Sequence, residues 1–230
     1  MIGIIGAMEE EIAQLKKLMK DIRTEERASM TFYSGTLEGV EVVIVKSGIG
    51  KVNMAVCAQI LVDLYQVTAM INTGVAGSLD NRLDIGDIAL AGDAVQHDVD
   101  TSVFGDAKGQ VPRMDTLAFP GDERLNKLAA EANEAANPDT KAFIGRILSG
   151  DQFVYRQEDK YELVKEFGGL CCEMEGAAMA QAAYLNHVPC LIIRAISDKS
   201  DHSATMEYAQ FEKLAISRTT RLLLELLKRL

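Results

Sequence analysis

Short β-branched apolar runs alternate with stretches of helical periodicity along nearly the whole of this chain, and that alternation leaves few folds open. Strands are predicted at Met1–Ile5, Thr31–Leu37, Val40–Lys46, Ala69–Thr73, Asp87–Ala91, Ala142–Leu148, Leu170–Cys172 and Cys190–Ala195. Helices are predicted near Glu9–Lys20, Val52–Tyr65, Asp122–Ala136, Lys160–Phe167, Glu175–Asn186 and Tyr208–Arg229. A helix between two strands carries the chain back across the sheet, so the strands run largely parallel and both faces are covered. Glu38-Gly39, between two alternating strands, marks one antiparallel hairpin instead. The expected architecture is α/β: a single-domain three-layer sandwich with a central, mostly parallel mixed sheet flanked by helices.

At 230 residues the chain supports one sizeable core, and no Pro/Ser-rich or single-charge tract marks a linker, so residues 1–230 read as one domain. There is no internal repeat. From Asp93 to Gly121 the periodicity fades, which inside a compact domain points to a functional loop or an interface element. The last helix is amphipathic through Leu214, Ile216 and the Leu222–Leu227 cluster, as core packing requires. Lys and Arg total 24 against 34 Asp and Glu, a formal charge of -10, which argues against nucleic acid and for a small neutral or cationic ligand. The apolar start Met1-Ile2-Gly3-Ile4-Ile5-Gly6 has no basic leader, and no apolar run approaches the ~20 residues that span a bilayer, so a cytoplasmic protein without membrane partners is expected. Cys57, Cys171, Cys172 and Cys190 lie in apolar segments without CxxC spacing and read as reduced, buried thiols.

Two acids close apolar runs in the last quarter of the chain, in Cys171-Cys172-Glu173-Met174-Glu175-Gly176 and in Arg194-Ala195-Ile196-Ser197-Asp198. Carboxyl ends of parallel strands face the crevice where α/β proteins bind ligands, so acids there can converge on one small molecule. Glu175 also suits a first-turn helix acid, and Asp198 a turn former, with Arg194 and Ser197 beside it as a cation and a hydroxyl able to orient it. At the amino end, Glu9-Glu10-Glu11 is compatible with the helix dipole alone, yet position 11 shares the helical row of Met8, Leu15 and Leu18 and is the member that points inward.

Ser47-Gly48-Ile49-Gly50-Lys51 is not a triphosphate loop, because Val45 stands at the first glycine position and Val52 at the hydroxyl position. Its glycines allow a tight turn or a close backbone approach to a ligand. Asn72-Thr73-Gly74-Val75-Ala76-Gly77 closes a strand with small residues that leave room for a flat or ribose-like group, and Ser149-Gly150-Asp151-Gln152-Phe153-Val154 closes another with an aromatic whose composition favours core over ligand platform. His97-Asp98-Val99-Asp100 and Asp198-Lys199-Ser200-Asp201-His202 hold hard ligands but no specific metal-ligand spacing, so neither a metal nor a cofactor is expected.

Taken together, Gly3 to Glu11, Lys46 to Val52, Ile71 to Gly74, Ser149 to Phe153, Glu173-Met174-Glu175 and Arg194 to Asp198 resemble the 5′-methylthioadenosine/S-adenosylhomocysteine nucleosidases of the nucleoside phosphorylase/nucleosidase superfamily. The six motifs occur in family order across nearly the whole chain, and the triple-Glu start points to the hydrolytic branch. The resemblance implies cleavage of the adenine N9 to ribose C1′ bond of an adenine thionucleoside, by a homodimer. It implies Asp198 as general acid at adenine N7, oriented by Ser197, and Glu11 as base for the nucleophilic water, with Arg194 nearby. Glu173 belongs to the substrate-binding set, Glu175 would accept from the ribose hydroxyls, and Met174 would pack on the ribose. Phe153 would stack on adenine while Val154 reads the base edge and Ala76 and Gly77 line the ribose and base side. Met8, Ile49, Tyr208 and Phe211 would surround the 5′-alkylthio group. The chain departs from the family pattern at Val75, commonly serine, and in Phe104-Gly105-Asp106-Ala107-Lys108, a loop that lacks the usual aromatics and in the family reaches the neighbouring subunit's site. Phosphorolysis, or hydrolysis of a futalosine-like nucleoside, is the alternative.

Overall fold

The computed structural model describes residues 1–198 and 204–230, with side chains given for all of these except 204–210. In chain order the elements are β1 (Ile2–Gly6), α1 (Glu9–Leu18), β2 (Lys20–Arg27), β3 (Met30–Leu37), β4 (Val40–Lys46), α2 (Lys51–Tyr65), β5 (Ala69–Ser78), β6 (Ile88–Gln96), β7 (Phe119–Pro120), α3 (Glu123–Ala136), β8 (Ala142–Ser149), α4 (Gln157–Phe167), β9 (Cys171–Glu173), α5 (Gly176–Asn186), β10 (Cys190–Asp198) and α6 (Ala204–Leu227). Neighbouring residues of a strand point to opposite faces, so β1 sends Ile5 into a core shared with α2 and α5, and Ile4 into one shared with α1, α3 and α6. These are the two helical layers of the expected mixed α/β sandwich.

Parallel pairs join β1 to β4 and β5, β5 to β10, β6 to β8 and β8 to β9. Antiparallel pairs join β10 to β6 and β9 to β5, so β5, β10, β6, β8 and β9 close into a ring from which β1, β4, β3 and β2 extend as an open sheet. The hairpin expected at Glu38-Gly39 joins β3 to β4, with φ of 49° and 84° at the two turn residues, as a type I′ turn requires.

β2 is the element that periodicity does not reveal. Its sequence KDIRTEER is exposed throughout, so no apolar alternation announces it, and it exists through backbone pairing with β3 across a turn at Ala28 and Ser29. Several strands also run past their expected ends: β5 continues from Thr73 to Ser78, β6 from Ala91 to Gln96 and β10 from Ala195 to Asp198. Gly74, Ala76 and Gly77 carry little strand propensity, but β5 is paired to β10 along this stretch and to β9 at its end, and the ladder overrides propensity. The long connection therefore begins after Gln96 rather than at Asp93, and contains a 3₁₀ turn at Ser102–Phe104 and the two-residue strand β7, which pairs back onto β6.

Candidate active site

The strand overruns bring the acids together. Glu11 sits in the third position of α1, and its carboxylate reaches back over the helix start: Oε2 accepts from the backbone N–H of Ala7 at 2.7 Å and Met8 at 2.9 Å, and Oε1 from Val75 at 3.3 Å. It is 5% exposed, whereas Glu9 and Glu10 are exposed, so Glu11 is the inward member of the three, as its helical row predicts; Leu18, on the same row, lies exposed at the last turn. Burial raises the proton affinity of Glu11, while Arg194 and the three amides oppose that rise.

Glu173 is the hub. Its Oε1 accepts from the Ser149 hydroxyl and, at 3.0 Å, from Gly176 N–H; its Oε2 accepts from Glu175 N–H at 3.1 Å, Gly176 N–H at 2.8 Å and Arg194 Nε at 3.2 Å, with a closer contact to Arg194 Nη2. Ser149 Oγ in turn accepts from Ala177 N–H at 2.7 Å. The unpaired amides at the start of α5 are thus capped by Glu173 and Ser149. Glu175 is thereby spared the helix-start duty that its position suggested, and its Oε1 accepts from Gly50 N–H at 2.8 Å. Gly48 and Gly50 hold φ of 86° and 98°, a region that disfavours side chains, and this turn delivers the Gly50 amide. Burial, and then the charge of Glu173, push the Glu175 carboxyl up to about 7, with Arg194 acting against both.

Arg194 is 2% exposed behind the cavity wall. Besides Glu173, its guanidinium donates to the Asn72 side-chain oxygen and to the Ile193 carbonyl at 3.0 Å, and Asn72 is itself anchored on the Ile5 carbonyl at 3.0 Å. One cation therefore faces three acids, since Glu11, Glu173 and Glu175 all act on it electrostatically. A buried patch with excess negative charge favours a group that becomes cationic and repels an anion.

Asp198 lines the same cavity, 5% exposed at the end of β10, where a register shift between Ile196 and Asp198 leaves Ser197 as an extra residue and re-aims the strand end. The Ser197 hydroxyl lies 3.1 Å from Asp198 Oδ1 and 3.3 Å from the Ala76 carbonyl. The cation beside Asp198 is not the neighbouring Arg194, which is committed to Glu173, but Lys160 of α4, whose Nζ donates to Oδ2 at 3.1 Å. Sequence reading missed this partner; its one signal is that Lys160 shares a helical row with the partly buried Leu163 and Phe167.

Met8, Ile49, Ala76, Gly77, Phe153, Val154 and Met174 line the same cavity as Glu11, Glu173, Glu175, Ser197 and Asp198, and Ala7, Val75, Gln152 and Cys172 complete it. Phe153 is 60% exposed and stacks on Tyr155, with ring centroids 6.4 Å apart, so it is a rim platform rather than a core residue. Phe211 is partly buried on α6 and is not among the described residues of the wall, and the Tyr208 side chain lies outside the described residues. Asp98, weighed as a metal ligand, instead accepts from Lys51 Nζ at 2.6 Å and Asp151 N–H at 2.9 Å; Asp201 and His202 lie outside the described residues.

The family model of the phosphorylase superfamily matches residues 1–228 of this chain. A 5′-methylthioadenosine/S-adenosylhomocysteine nucleosidase of Halalkalibacterium halodurans is 42% identical over 230 residues, covering 100% of this chain and 98% of the relative. The Neisseria meningitidis enzyme of that name, solved with methylthio-immucillin-A, superposes with a TM-score of 0.95 at 36% identity, covering 100% of this chain and 99% of the other. A futalosine hydrolase of Helicobacter pylori gives a TM-score of 0.93 at 34% identity, with 100% and 97% covered. The chain belongs to the 5′-methylthioadenosine/S-adenosylhomocysteine nucleosidase family.

Proposed function

We propose that this protein hydrolyses the N-glycosidic bond of 5′-methylthioadenosine and S-adenosylhomocysteine, releasing adenine and the 5-thioribose product. The observation that carries this reading is the surplus of buried acids around Arg194 that share one cavity with Asp198. Breaking the bond between C1′ and N9 leaves positive charge on the sugar, which the surplus stabilises only as that charge develops. The same surplus disfavours a phosphate dianion as nucleophile, and so favours water over phosphorolysis.

Asp198, oriented by Ser197, gives a proton to adenine N7 as the electron pair of the C1′–N9 bond passes into the ring. Glu11, held by three amides, takes a proton from the attacking water, and the raised proton affinity of a buried carboxylate suits that task. Glu175 receives the ribose hydroxyls and Met174 packs on the sugar. Glu173, its oxygens occupied by protein donors, serves by fixing Arg194 and the start of α5. Phe153 stacks on adenine beside Val154, with Ala76 and Gly77 below, and Met8 and Ile49 hold the alkylthio group along with Tyr208 and Phe211 of α6. Val75 offers no hydroxyl to the water, so the water depends more heavily on Glu11.

The working form is a homodimer in the cytoplasm. Val52, Val56 and Leu185 are exposed on the adjoining helices α2 and α5, and Val103 and Phe104 project from the loop after β6, an apolar surface suited to a second copy. Free, buried Cys57, Cys171, Cys172 and Cys190 fit a reducing compartment, and no helix among the described residues is long and apolar enough to cross a membrane. A futalosine-type nucleoside is the second reading, favoured by the Helicobacter pylori structure. The deciding experiment incubates chelator-dialysed protein with methylthioadenosine, adenosylhomocysteine, inosine and aminodeoxyfutalosine, with and without phosphate. Adenine release from the two thionucleosides without phosphate is expected; a requirement for phosphate or added metal, or turnover confined to the futalosine, overturns the assignment.

A further inference from the structure

Among the described residues Lys160 is the only buried lysine, 3% exposed on a helix whose neighbouring Tyr161 and Glu162 face solvent. Taking an ammonium out of water is costly, and an apolar side chain of similar volume anchors a helix at least as well. What the ammonium reaches is Asp198 Oδ2, at 3.1 Å, in a pair whose side chains are 4% and 7% exposed and whose carboxylate opens on the cavity. Ser197 holds the other oxygen.

A general acid must carry its proton when substrate arrives. An isolated aspartic acid has released its proton by about pH 5, whereas a lysine keeps its own to about pH 9. We propose that Lys160 is the positioning residue of the acid and the source of the proton that Asp198 delivers, an inference that rests on the reading of Asp198 as the donor to adenine N7. As the glycosidic bond breaks, a Nζ–H bond of Lys160 breaks and the proton passes to Oδ2 of Asp198. The carboxyl so formed hands that same proton from Oδ2 to N7, and the bonding pair of C1′–N9 goes into the adenine ring. Adenine leaves neutral, Asp198 ends as a carboxylate and Lys160 as a neutral amine that solvent reprotonates. The water's proton, lost to Glu11, completes the balance. The cation at this site therefore supplies chemistry that a mere clamp, such as an arginine, does not.

Asp198→Asn is measured first, and near wild-type turnover there removes the acid reading itself, whatever Lys160 does. With that reading standing, Lys160→Met lowers kcat on methylthioadenosine about 10²-fold, the lower range for general acids, with KM changed less than about threefold. It leaves turnover of the p-nitrophenyl glycoside of 5-methylthioribose near wild type, because that phenolate departs without a proton, and it adds nothing in the Lys160→Met/Asp198→Asn double variant. Lys160→Arg keeps the ion pair but cannot release a proton, so it loses as much as Lys160→Met, and it carries the test if the buried methionine prevents folding. Wild-type kcat in Lys160→Arg, equal losses on both glycosides, or additive losses in the double variant each overturn the proposal.

Discussion

Gly74 has no side chain at the point where Glu11 comes closest to β5, and that makes Gly74→Ala a test of the base that displaces its carboxylate without removing any proposed catalytic group. A β-carbon there stands 3.1 Å from Glu11 Cδ, nearer still to Oε1, and 3.5 Å from Arg194 Nη1. Ordinary contacts between such atoms begin near ~3.5 Å, so the carboxylate must withdraw by roughly 0.5–1 Å. Oε1 then gives up the 3.3 Å bond from Val75 N–H, the weakest of the three that hold it. Gly74 is not among the residues with positive φ, so alanine adopts its backbone without strain and the perturbation falls on the carboxylate alone. Losing a hydrogen bond to a charged group costs ~1.5–3 kcal/mol, and the lower entropy of an unfolded chain with alanine returns ~0.4–1 kcal/mol. A net destabilisation of about 1–2 kcal/mol is expected, against a fall of about 10²-fold in kcat, since a misplacement of ~1 Å is enough for that loss. The assay pairs adenine release with thermal unfolding, and Gly92→Ala is the control, because its β-carbon comes no nearer than 3.4 Å to Ile144 and 3.7 Å to the Gly145 backbone. A folded Gly74→Ala protein that keeps kcat within about threefold of wild type shows that the position of Glu11 does not limit turnover, and the base assignment falls.

Glu11→Gln abolishes turnover, while Glu9→Gln and Glu10→Gln, both at exposed positions, shift stability by no more than the helix-dipole contribution of ~0.3–1 kcal/mol; comparable activity losses at all three remove the distinction. Glu175→Gln trades activity for stability in a pH-dependent way. With the Glu175 carboxyl raised from an ordinary 4.5 to about 7, the folded protein holds a proton that the unfolded chain has released, so the contribution of Glu175 to stability is full below pH 4.5 and falls by about 3 kcal/mol as pH rises through 7. Denaturant midpoints at pH 4.5 and 8 therefore coincide and then diverge in favour of the variant; no divergence refutes the raised proton affinity. A 2′-deoxy substrate reacts much more slowly with the wild type than the ribose form, and Glu175→Ala shrinks that ratio in kcat/KM; an unchanged ratio means that Glu175 does not touch the hydroxyl.

The layered α/β architecture, the hairpin at Glu38-Gly39 and the inward Glu11 were legible because each is written in local pattern: period of hydrophobicity, turn chemistry, helical row. The buried thiols followed from apolar flanks in the same way. The motif resemblance located the acids of both halves of the cavity. β2 left no such trace, because an exposed edge strand needs only a backbone partner, and the reach of β5 through Gly74-Val75-Ala76-Gly77 was hidden by residues with weak strand propensity.

What the acids do to one another is not local. Glu173 and Glu175 are two residues apart, look alike in sequence and both line the cavity, yet one is consumed by α5 amides, Ser149 and Arg194 while the other accepts from the Gly50 amide. Arg194 sits four residues from Asp198 but pairs with Glu173, and the cation that reaches Asp198 comes from Lys160, thirty-eight positions away. Periodicity determines which side of an element turns inward. Only the packing of strand ends against α1, α4 and α5 decides which buried charges meet, because charges taken out of water persist where hydrogen bonds and opposite charge compensate them, and those partners come from segments distant in the chain.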